Sequence, residues 1–251
     1  MTSSKRQRLD QELVRRGMVQ SRSRARDLVA RGAVWVAGMV AAKAGQLVDA
    51  ATSIEIDEEA NAYVARSGAK LLAGLREFGF GCDGVTALDI GASTGGFTQV
   101  LLESGAARVY AVDVGQDQLD ESLLEDQRVV VLEGQDARKL TASHVPERVG
   151  AIVIDVSFIS VTKVLPHIDK FAGPQCWLVA LVKPQFELGR EALGKGGVVR
   201  DADAGLMACE NVRVVLEGLG WQVTETIASP LPGKKGNVEF LLGAQRIGGG
   251  V

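Results

Sequence analysis

Polar residues follow several apolar, strand-like runs of the chain, and their side chains could carry acid, base or ligand-binding chemistry. Ligands of open parallel sheets gather at the carboxyl ends of strands, so these residues are expected along one edge. A lysine placed there can take the proton of an attacking hydroxyl while its amine is neutral. The residues are Asp89, Asp113, Asp136, Asp155 and Lys183.

The glycine-rich turn at 91–96 is open to several interpretations. Ser93 stands where a dinucleotide-binding fingerprint needs its second glycine. Gly91-Ala-Ser93-Thr-Gly95 fits a hydrolase nucleophile elbow, but no histidine lies late in the chain to complete a triad. An S-adenosylmethionine site has an acid at the end of the strand before the turn and needs a second acid, about twenty residues after the turn, to bind the ribose hydroxyls. Asp113 supplies this second acid. The cofactor interpretation is favoured, and an ordinary tight turn is the remaining alternative.

From Val85 onward, apolar runs alternate with amphipathic segments, which is typical of a parallel sheet covered on both faces. A helix over 66–78 is expected before the first run. The pattern predicts an α/β fold with a seven-stranded, mostly parallel sheet, which fits the Rossmann-type methyltransferase that the cofactor interpretation of the turn requires. Its strands are expected at 85–90, 107–113, 128–133, 149–155, 176–183, 221–227 and 237–243.

The residues after the fourth predicted strand bear on the methyl acceptor. Enzymes acting on exocyclic base nitrogens commonly carry Asp/Asn-Pro-Pro-Tyr/Phe there, whereas Asp155-Val-Ser-Phe158 lacks both prolines. The next strand ends at Lys183, and an amine suits a hydroxyl acceptor because it can take the proton. Asp136 could accept from an adenine amino group or cap a helix. The predicted cofactor contacts are Asp89, Gly91, Ser93, Gly95, Asp113, Asp136 and Asp155.

Charge is divided unevenly along the chain. Residues 1–48 hold ten Lys/Arg and three Asp/Glu, while the chain as a whole has a formal charge of −3. Such a cationic segment favours a polyanion such as nucleic acid, with a solvated basic face as the alternative. Two short helices are expected in it, from Leu9 to Arg16 and, capped by Ser21, to Ala30.

This segment resembles the S4 type of RNA-binding domain. Arg8-Leu9-Asp10 and the spacing of small, apolar and glycine residues from Ser21 to Gly38 follow that family, and Lys43-Ala-Gly replaces its usual Lys-Pro-Gly. The resemblance implies a small α+β S4-like domain over 1–58. The predicted RNA contacts are Arg8, Arg15, Arg22, Arg26 and Lys43.

The remainder resembles the FtsJ-like ribose 2'-O-methyltransferases, and the whole chain resembles the TlyA (haemolysin A-type) ribosomal RNA methyltransferase family. The shared signatures are Gly91-Ala-Ser-Thr-Gly-Gly-Phe-Thr98, Asp155-Val-Ser-Phe-Ile-Ser160, Val182-Lys-Pro-Gln-Phe-Glu187, Gly196-Gly-Val-Val-Arg-Asp201, Ser229-Pro-Leu-Pro-Gly233 and Gly236-Asn-Val-Glu239. The polar, acidic stretch at 57–61 predicts a linker, placed at 59–64, and the resemblance implies an S-adenosylmethionine-dependent domain at 65–246.

The same resemblance implies a catalytic set of Lys70, Asp155, Lys183 and Glu239. Lys183 would be the base and Asp155 its orienting partner, while the other two would position the ribose. The family's Arg-Gly-x-x-Lys-Leu reads Arg66-Ser-Gly-Ala-Lys-Leu here, with the glycine displaced but the lysine in register. The implied reaction is 2'-O-methylation of cytidine in small- and large-subunit ribosomal RNA, with an effect on antibiotic susceptibility.

Other features limit the class of protein. Cys82, Cys176 and Cys209 form no Cys-x-x-Cys pair, so neither a disulfide framework nor a zinc site is expected, and a cytoplasmic location fits best. The apolar run 177–182 is too short to cross a bilayer. Two other functions stay open at this point, a membrane-active haemolysin and an S4-type RNA-binding or assembly factor without turnover.

Overall fold

A computed structural model of the 251-residue chain describes residues 6–19, 21–57, 63–189, 193–194, 198–199, 202–233 and 236–246. The chain divides into two compact units, Met1–Val64 and Ala65–Val251. Most of the linker expected at 59–64 lies outside the described residues. So does most of the signature expected at 196–201, of which residues 198 and 199 are described.

The first unit packs two helices against short antiparallel strands. Its core is formed by side chains such as Leu9, Leu13 and Leu28, which are fully buried. The hydroxyl of Ser21 accepts a hydrogen bond from the backbone N–H of Arg24 and so caps the second helix, as its residue type indicates. The elements are β1 (Gln7–Arg8), α1 (Leu9–Arg15), α2 (Arg22–Ala30), β2 (Val34–Val36), β3 (Met39–Val40), β4 (Leu47–Val48) and β5 (Ile54–Ile56).

The second unit alternates strands with helices, as its apolar runs predict. Its helices are α3 (Ser67–Phe78), α4 (Gly96–Glu103), α5 (Glu121–Leu124), α6 (Leu165–Ile168), α7 (Pro184–Glu187) and α8 (Ala202–Gly218). Its strands are β6 (Thr86–Ile90), β7 (Arg108–Val112), β8 (Val129–Leu132), β9 (Val149–Ile154), β10 (Ala172–Val182), β11 (Gln222–Ala228) and β12 (Phe240–Gln245).

Among the described residues these strands form one seven-stranded sheet in the order β11-β12-β10-β9-β6-β7-β8. The chain moves outward from β6 through β7 and β8, then returns to β9 on the other side of β6. This reversal of strand order opens a crevice at the carboxyl ends of β6 and β9. The predicted α/β fold with a mostly parallel sheet is confirmed.

The reversed strand β12 brings a further segment to that edge. It lies antiparallel to both neighbours, β10 and β11, so its amino-terminal end meets the carboxyl ends of the other strands. Val182 pairs with Phe240 across this ladder. Lys183 and Glu239, the next residues outward on each strand, therefore lie at the same edge of the sheet.

Two predicted strand boundaries were wrong. β10 begins at Ala172, not 176, because a register shift before Trp177 admits residues 173–175, which interrupt the apolar run. β12 begins at Phe240, not 237. The three residues before it belong to a loop, in which Gly233 N–H donates to the Asn237 carbonyl, and the Glu239 carbonyl accepts from Ser229 N–H.

Candidate active site

Two buried ion pairs lie at the carboxyl edge of the sheet. The Lys70 ammonium, from the first turns of α3, lies 2.5 Å from a carboxylate oxygen of Glu239, and each side chain is 4% exposed. The Lys183 ammonium lies 2.6 Å from a carboxylate oxygen of Asp155. The structure thus brings all four predicted catalytic residues to one edge as two cation–anion pairs, which is the arrangement that makes buried charges tolerable.

The two pairs differ in their access to solvent. The side chains of Lys183 and Asp155 are 10% and 18% exposed, respectively, so this pair borders the crevice, whereas the Lys70 pair is enclosed. Lys183 also donates a hydrogen bond of 3.0 Å to the hydroxyl of Ser157. Sequence reasoning missed Ser157 as a member of the site, although it lies within the Asp155–Ser160 signature.

Glycines make room for the enclosed pair. A Cβ atom at Gly233 would lie 2.0 Å from a carboxylate oxygen of Glu239, so a larger residue at this position would clash with the carboxylate. A Cβ at Gly96 would lie 2.4 Å from the hydroxyl of Ser67 and 3.0 Å from the backbone nitrogen of Gly68. The start of α4 therefore packs directly on the start of α3, which carries Lys70.

A cleft of about 1030 Å³ opens beside these pairs. Its walls come from the glycine-rich turn and from the segments that follow β7, β8, β9 and β10. Gly91 has a φ of +89°, and a Cβ there would lie 2.5 Å from the Asp155 carbonyl oxygen, so the turn and the segment after β9 touch backbone to backbone. Of the predicted cofactor contacts, the cleft walls include Gly91, Ser93, Asp113, Asp136 and Asp155.

Asp113 joins the two turns on one side of the cleft. One of its carboxylate oxygens accepts from Ser93 N–H at 2.8 Å, and the other accepts from Gly115 N–H at 2.7 Å. Each oxygen keeps a lone pair for a further donor. The acid expected about twenty residues after the turn is thus fixed at the cleft wall with acceptor capacity left.

Asp136 has a local structural partner. It caps the 3₁₀ turn Ala137–Lys139, and Arg138 donates to it from its backbone and guanidinium. The hydrogen bond from the Arg138 side chain lowers the pKa of Asp136 to about 2. Of the two interpretations open for Asp136, the structure therefore contains the capping one, at a position that also lines the cleft.

Asp89 lies beneath the turn and is completely buried. One of its oxygens accepts from the Thr98 hydroxyl at 2.7 Å, and the other has no partner among the described residues. Burial, together with the negative charges of Asp155 and Asp113, raises the pKa of Asp89 to about 7 against the opposing effect of the hydrogen bond from Thr98. Like Gly95, it is absent from the cleft walls and supports them from behind.

The raised pKa of Asp89 predicts a pH-dependent stability. Between about pH 4 and 7 the folded state holds a proton that the unfolded chain releases, so Asp89 lowers stability as the pH rises. Asp89→Asn removes this titration. We therefore expect its free energy of unfolding, relative to that of the unaltered protein, to increase with pH by up to about 1.4 kcal/mol per pH unit across this window and to stay constant above it. Urea unfolding at pH 5, 6, 7 and 8 measures the difference, and a constant difference would contradict the shift.

The predicted RNA contacts of the first unit fall into three groups. Arg8, Arg22 and Arg26 converge on the buried carboxylate of Asp10, at 3.0, 3.1 and 3.2 Å. These hydrogen bonds, with that of Arg8 the largest, hold the pKa of Asp10 well below its ordinary value. Half-exposed guanidinium groups are thereby gathered on one surface. Sequence reasoning missed Asp10 as the organising group, although it quoted Arg8-Leu-Asp10.

The other two predicted contacts make no ion pair with Asp10 among the described residues. Arg15 pairs with Glu12, as does Arg16, and the hydrogen bond from Arg15 lowers the pKa of Glu12 to about 2. Lys43 is exposed in the turn between β3 and β4. The structure thus brings together three of the five predicted residues.

Comparisons with known proteins agree with this architecture. The model of the FtsJ-like methyltransferase family matches residues 63–246, and that of the S4 domain matches residues 7–54. A Mycobacterium tuberculosis protein named 16S/23S rRNA (cytidine-2'-O)-methyltransferase TlyA is 44% identical, with 95% of this chain and 90% of that protein covered. Hemolysin A of Brachyspira hyodysenteriae is 39% identical, with 93% and 98% covered.

A solved structure extends the likeness to three dimensions. It is described as a putative hemolysin from Streptococcus thermophilus, with 36% identity, a TM-score of 0.77 and coverage of 97% of this chain and 90% of that one. The chain is thus a methyltransferase of the FtsJ-like class that carries an S4 domain. Within that class it belongs to the TlyA family, as its signatures predict.

Of the helices within the described residues, none is long and apolar enough to span a bilayer.

Proposed function

We propose that the protein transfers a methyl group from S-adenosylmethionine to the 2'-hydroxyl of cytidine in ribosomal RNA. The observation that carries the proposal is the Lys183–Asp155 pair, whose Asp155 lines the cleft, together with the enclosed Lys70–Glu239 pair. An amine at this position suits a hydroxyl acceptor, whose proton must leave as the new bond forms. The M. tuberculosis relative bears the name of this activity.

The cleft walls offer acceptor groups to the proposed cofactor. Asp113 can accept hydrogen bonds from ribose hydroxyls with the lone pairs that Ser93 and Gly115 leave unused. Behind the cleft walls, the buried carboxyl of Asp89 keeps one oxygen without a partner among the described residues. When bound, S-adenosylmethionine would supply an electrophilic methyl group on a sulfonium ion. We propose Asp89, Gly91, Ser93, Gly95, Asp113, Asp136 and Asp155 as the residues that form its site.

The chain's own groups would then handle the proton. Lys183, as the neutral amine, takes the hydroxyl proton at Nζ, and Asp155 stabilises the ammonium that results. Lys70 and Glu239 neutralise one another and would hold the ribose beside the amine. Phe158 would stack on the target base. This residue lines the cleft, is 92% exposed, and its ring centroid lies 5.2 Å from that of Phe186.

The first unit would deliver the RNA. Three arginines around one carboxylate leave a net positive charge, and their planar groups suit phosphate oxygens. We propose Arg8, Arg22 and Arg26 as one phosphate-binding cluster, with Arg15 and Lys43 as further contacts. Ribosomal RNA or ribosomal subunits would be the partner.

We expect Arg22→Gln/Arg26→Gln to weaken RNA binding and reduce its salt dependence. Glutamine keeps a donor for Asp10, so the fold is retained while two charges are lost. For single-stranded RNA the slope of log affinity against log salt is expected to fall by about 0.7 per arginine. Arg213→Ala, which removes a surface arginine from α8, is the control with an unchanged slope. Filter binding at four salt concentrations measures the slopes, and equal slopes for both variants would remove the cluster from the RNA interface.

Incorporation of labelled methyl groups into ribosomal subunits tests the function as a whole. Purified protein with labelled S-adenosylmethionine is expected to label subunit RNA and to release no dye from liposomes. Dye release without labelling would favour a membrane-active protein. RNA binding without labelling would favour an assembly factor without turnover.

A further inference from the structure

We infer that Ser157 is a positioning residue for Lys183, which fixes the direction in which the amine meets the attacking hydroxyl. The inference rests on the proposed function, in which Lys183 is the base. It starts from the hydrogen bond of 3.0 Å between the Lys183 ammonium and the Ser157 hydroxyl. Ser157 also lies on the cleft wall, two residues after Asp155.

The number of hydrogen bonds is what gives Ser157 this role. A neutral lysine amine has two N–H bonds and one lone pair in a tetrahedral arrangement. Asp155, at 2.6 Å, and Ser157 provide one acceptor for each N–H bond. With both N–H bonds engaged, rotation about the Cε–Nζ bond stops, and the lone pair has one remaining direction. Without the Ser157 hydroxyl, only the N–H bond to Asp155 would be engaged, and the direction of the lone pair would no longer be fixed.

The segment that carries Ser157 is held in place on both sides. On one side, the Asp155 carbonyl touches Gly91 so closely that no Cβ fits between them. On the other, Ser160 Oγ donates to the Glu187 carboxylate at 2.5 Å, and Val161 N–H donates to it at 2.8 Å. Ser157 is itself exposed, but its hydroxyl is presented by a backbone that is anchored on both sides.

Two further features show that the conformation is imposed by its surroundings. Phe158, directly after Ser157, has a φ of +65°, which a residue with a Cβ seldom adopts. Glu187 comes four residues after Lys183 and is partly buried, and this burial raises the pKa of its carboxyl. Glu187, on the segment that begins with Lys183, therefore anchors the segment that carries Ser157. The amine and its hydroxyl acceptor are thereby fixed relative to one another.

Kinetics of three variants at Ser157 test the inference. Ser157→Ala is expected to lower kcat by about 10- to 100-fold, because a misdirected base loses alignment, while the Kd for S-adenosylmethionine and the KM for RNA stay within twofold. Ser157→Thr keeps the hydroxyl and is expected to restore most of kcat. Ser157→Cys keeps the size but offers a weak acceptor, so it should behave like the alanine variant. Ser143→Ala, an exposed serine outside the cleft walls, is the control.

A double variant separates positioning from general damage. In a Lys183→Ala background, Ser157→Ala is expected to lower the residual rate by less than twofold, because its partner is already gone. A kcat for Ser157→Ala within twofold of the unaltered protein, a parallel loss of cofactor binding, or additive losses in the double variant would each overturn the inference. Absence of ribose methylation by the unaltered protein would overturn the proposed function instead, and the inference with it.

Discussion

Lys183→Ala is expected to lower the rate of methyl transfer by about 10²- to 10⁴-fold, the usual contribution of a general base. The cofactor Kd should stay within a few-fold, because the amine acts on the hydroxyl and not on the cofactor. Single-turnover methylation with isothermal titration of S-adenosylmethionine gives both quantities. Loss of the cation also leaves Asp155 without its partner, so folding is checked by thermal unfolding.

A matched lysine provides the control. Lys170 precedes β10, whereas Lys183 follows it, so the two lie at opposite ends of one strand. Lys170→Ala removes the same charge from the far edge of the sheet and is expected to keep full activity. Full activity in Lys183→Ala would show that Lys183 is not the base.

Glu239→Ala is expected to cost about 3–5 kcal/mol in free energy of unfolding, because it leaves the Lys70 ammonium buried without a counter-charge. Lys70→Met/Glu239→Leu replaces both charges by apolar groups of similar volume and should recover most of that loss. Activity is expected to stay low in both variants, since the pair would also hold the ribose. Denaturant unfolding and methylation assays on the same preparations separate the two effects.

Two results would contradict this account of the enclosed pair. Equal stability of Glu239→Ala and the unaltered protein would show that Lys70 finds another partner. Full methylation by Lys70→Met/Glu239→Leu would show that the pair is structural only, and the catalytic set would shrink to Lys183 and Asp155.

The sheet could be predicted from the sequence because its central strands are buried on both faces. Strands such as β9 therefore appear as continuous apolar runs, and the polar residues after them mark the ligand edge. The first residues of β10 and β12 could not be predicted in this way. A register shift sets the start of β10 and loop hydrogen bonds set the start of β12, and neither changes the apolar periodicity of the sequence.

The members of the charged set followed from family signatures, whereas their pairing required the fold. From the sequence, Lys70 was a member of the set that would position the ribose, with no partner assigned to it. In the structure its nearest charge is Glu239, because β12 is reversed and delivers that carboxylate to the start of α3. The same limit applies to Asp10, which was quoted within a motif, whereas two of its three arginine partners, Arg22 and Arg26, lie on α2.

The most direct test of the central claim is the chemical position of the new methyl group. Ribosomal RNA from cells with and without the protein is digested to nucleosides for mass spectrometry and is mapped by resistance to alkaline cleavage. A methylated 2'-hydroxyl cannot attack the neighbouring phosphate, so the account predicts 2'-O-methylcytidine and an alkali-resistant bond that appear only with the protein. A methyl group on a base nitrogen or carbon, or identical RNA from both cells, would contradict it.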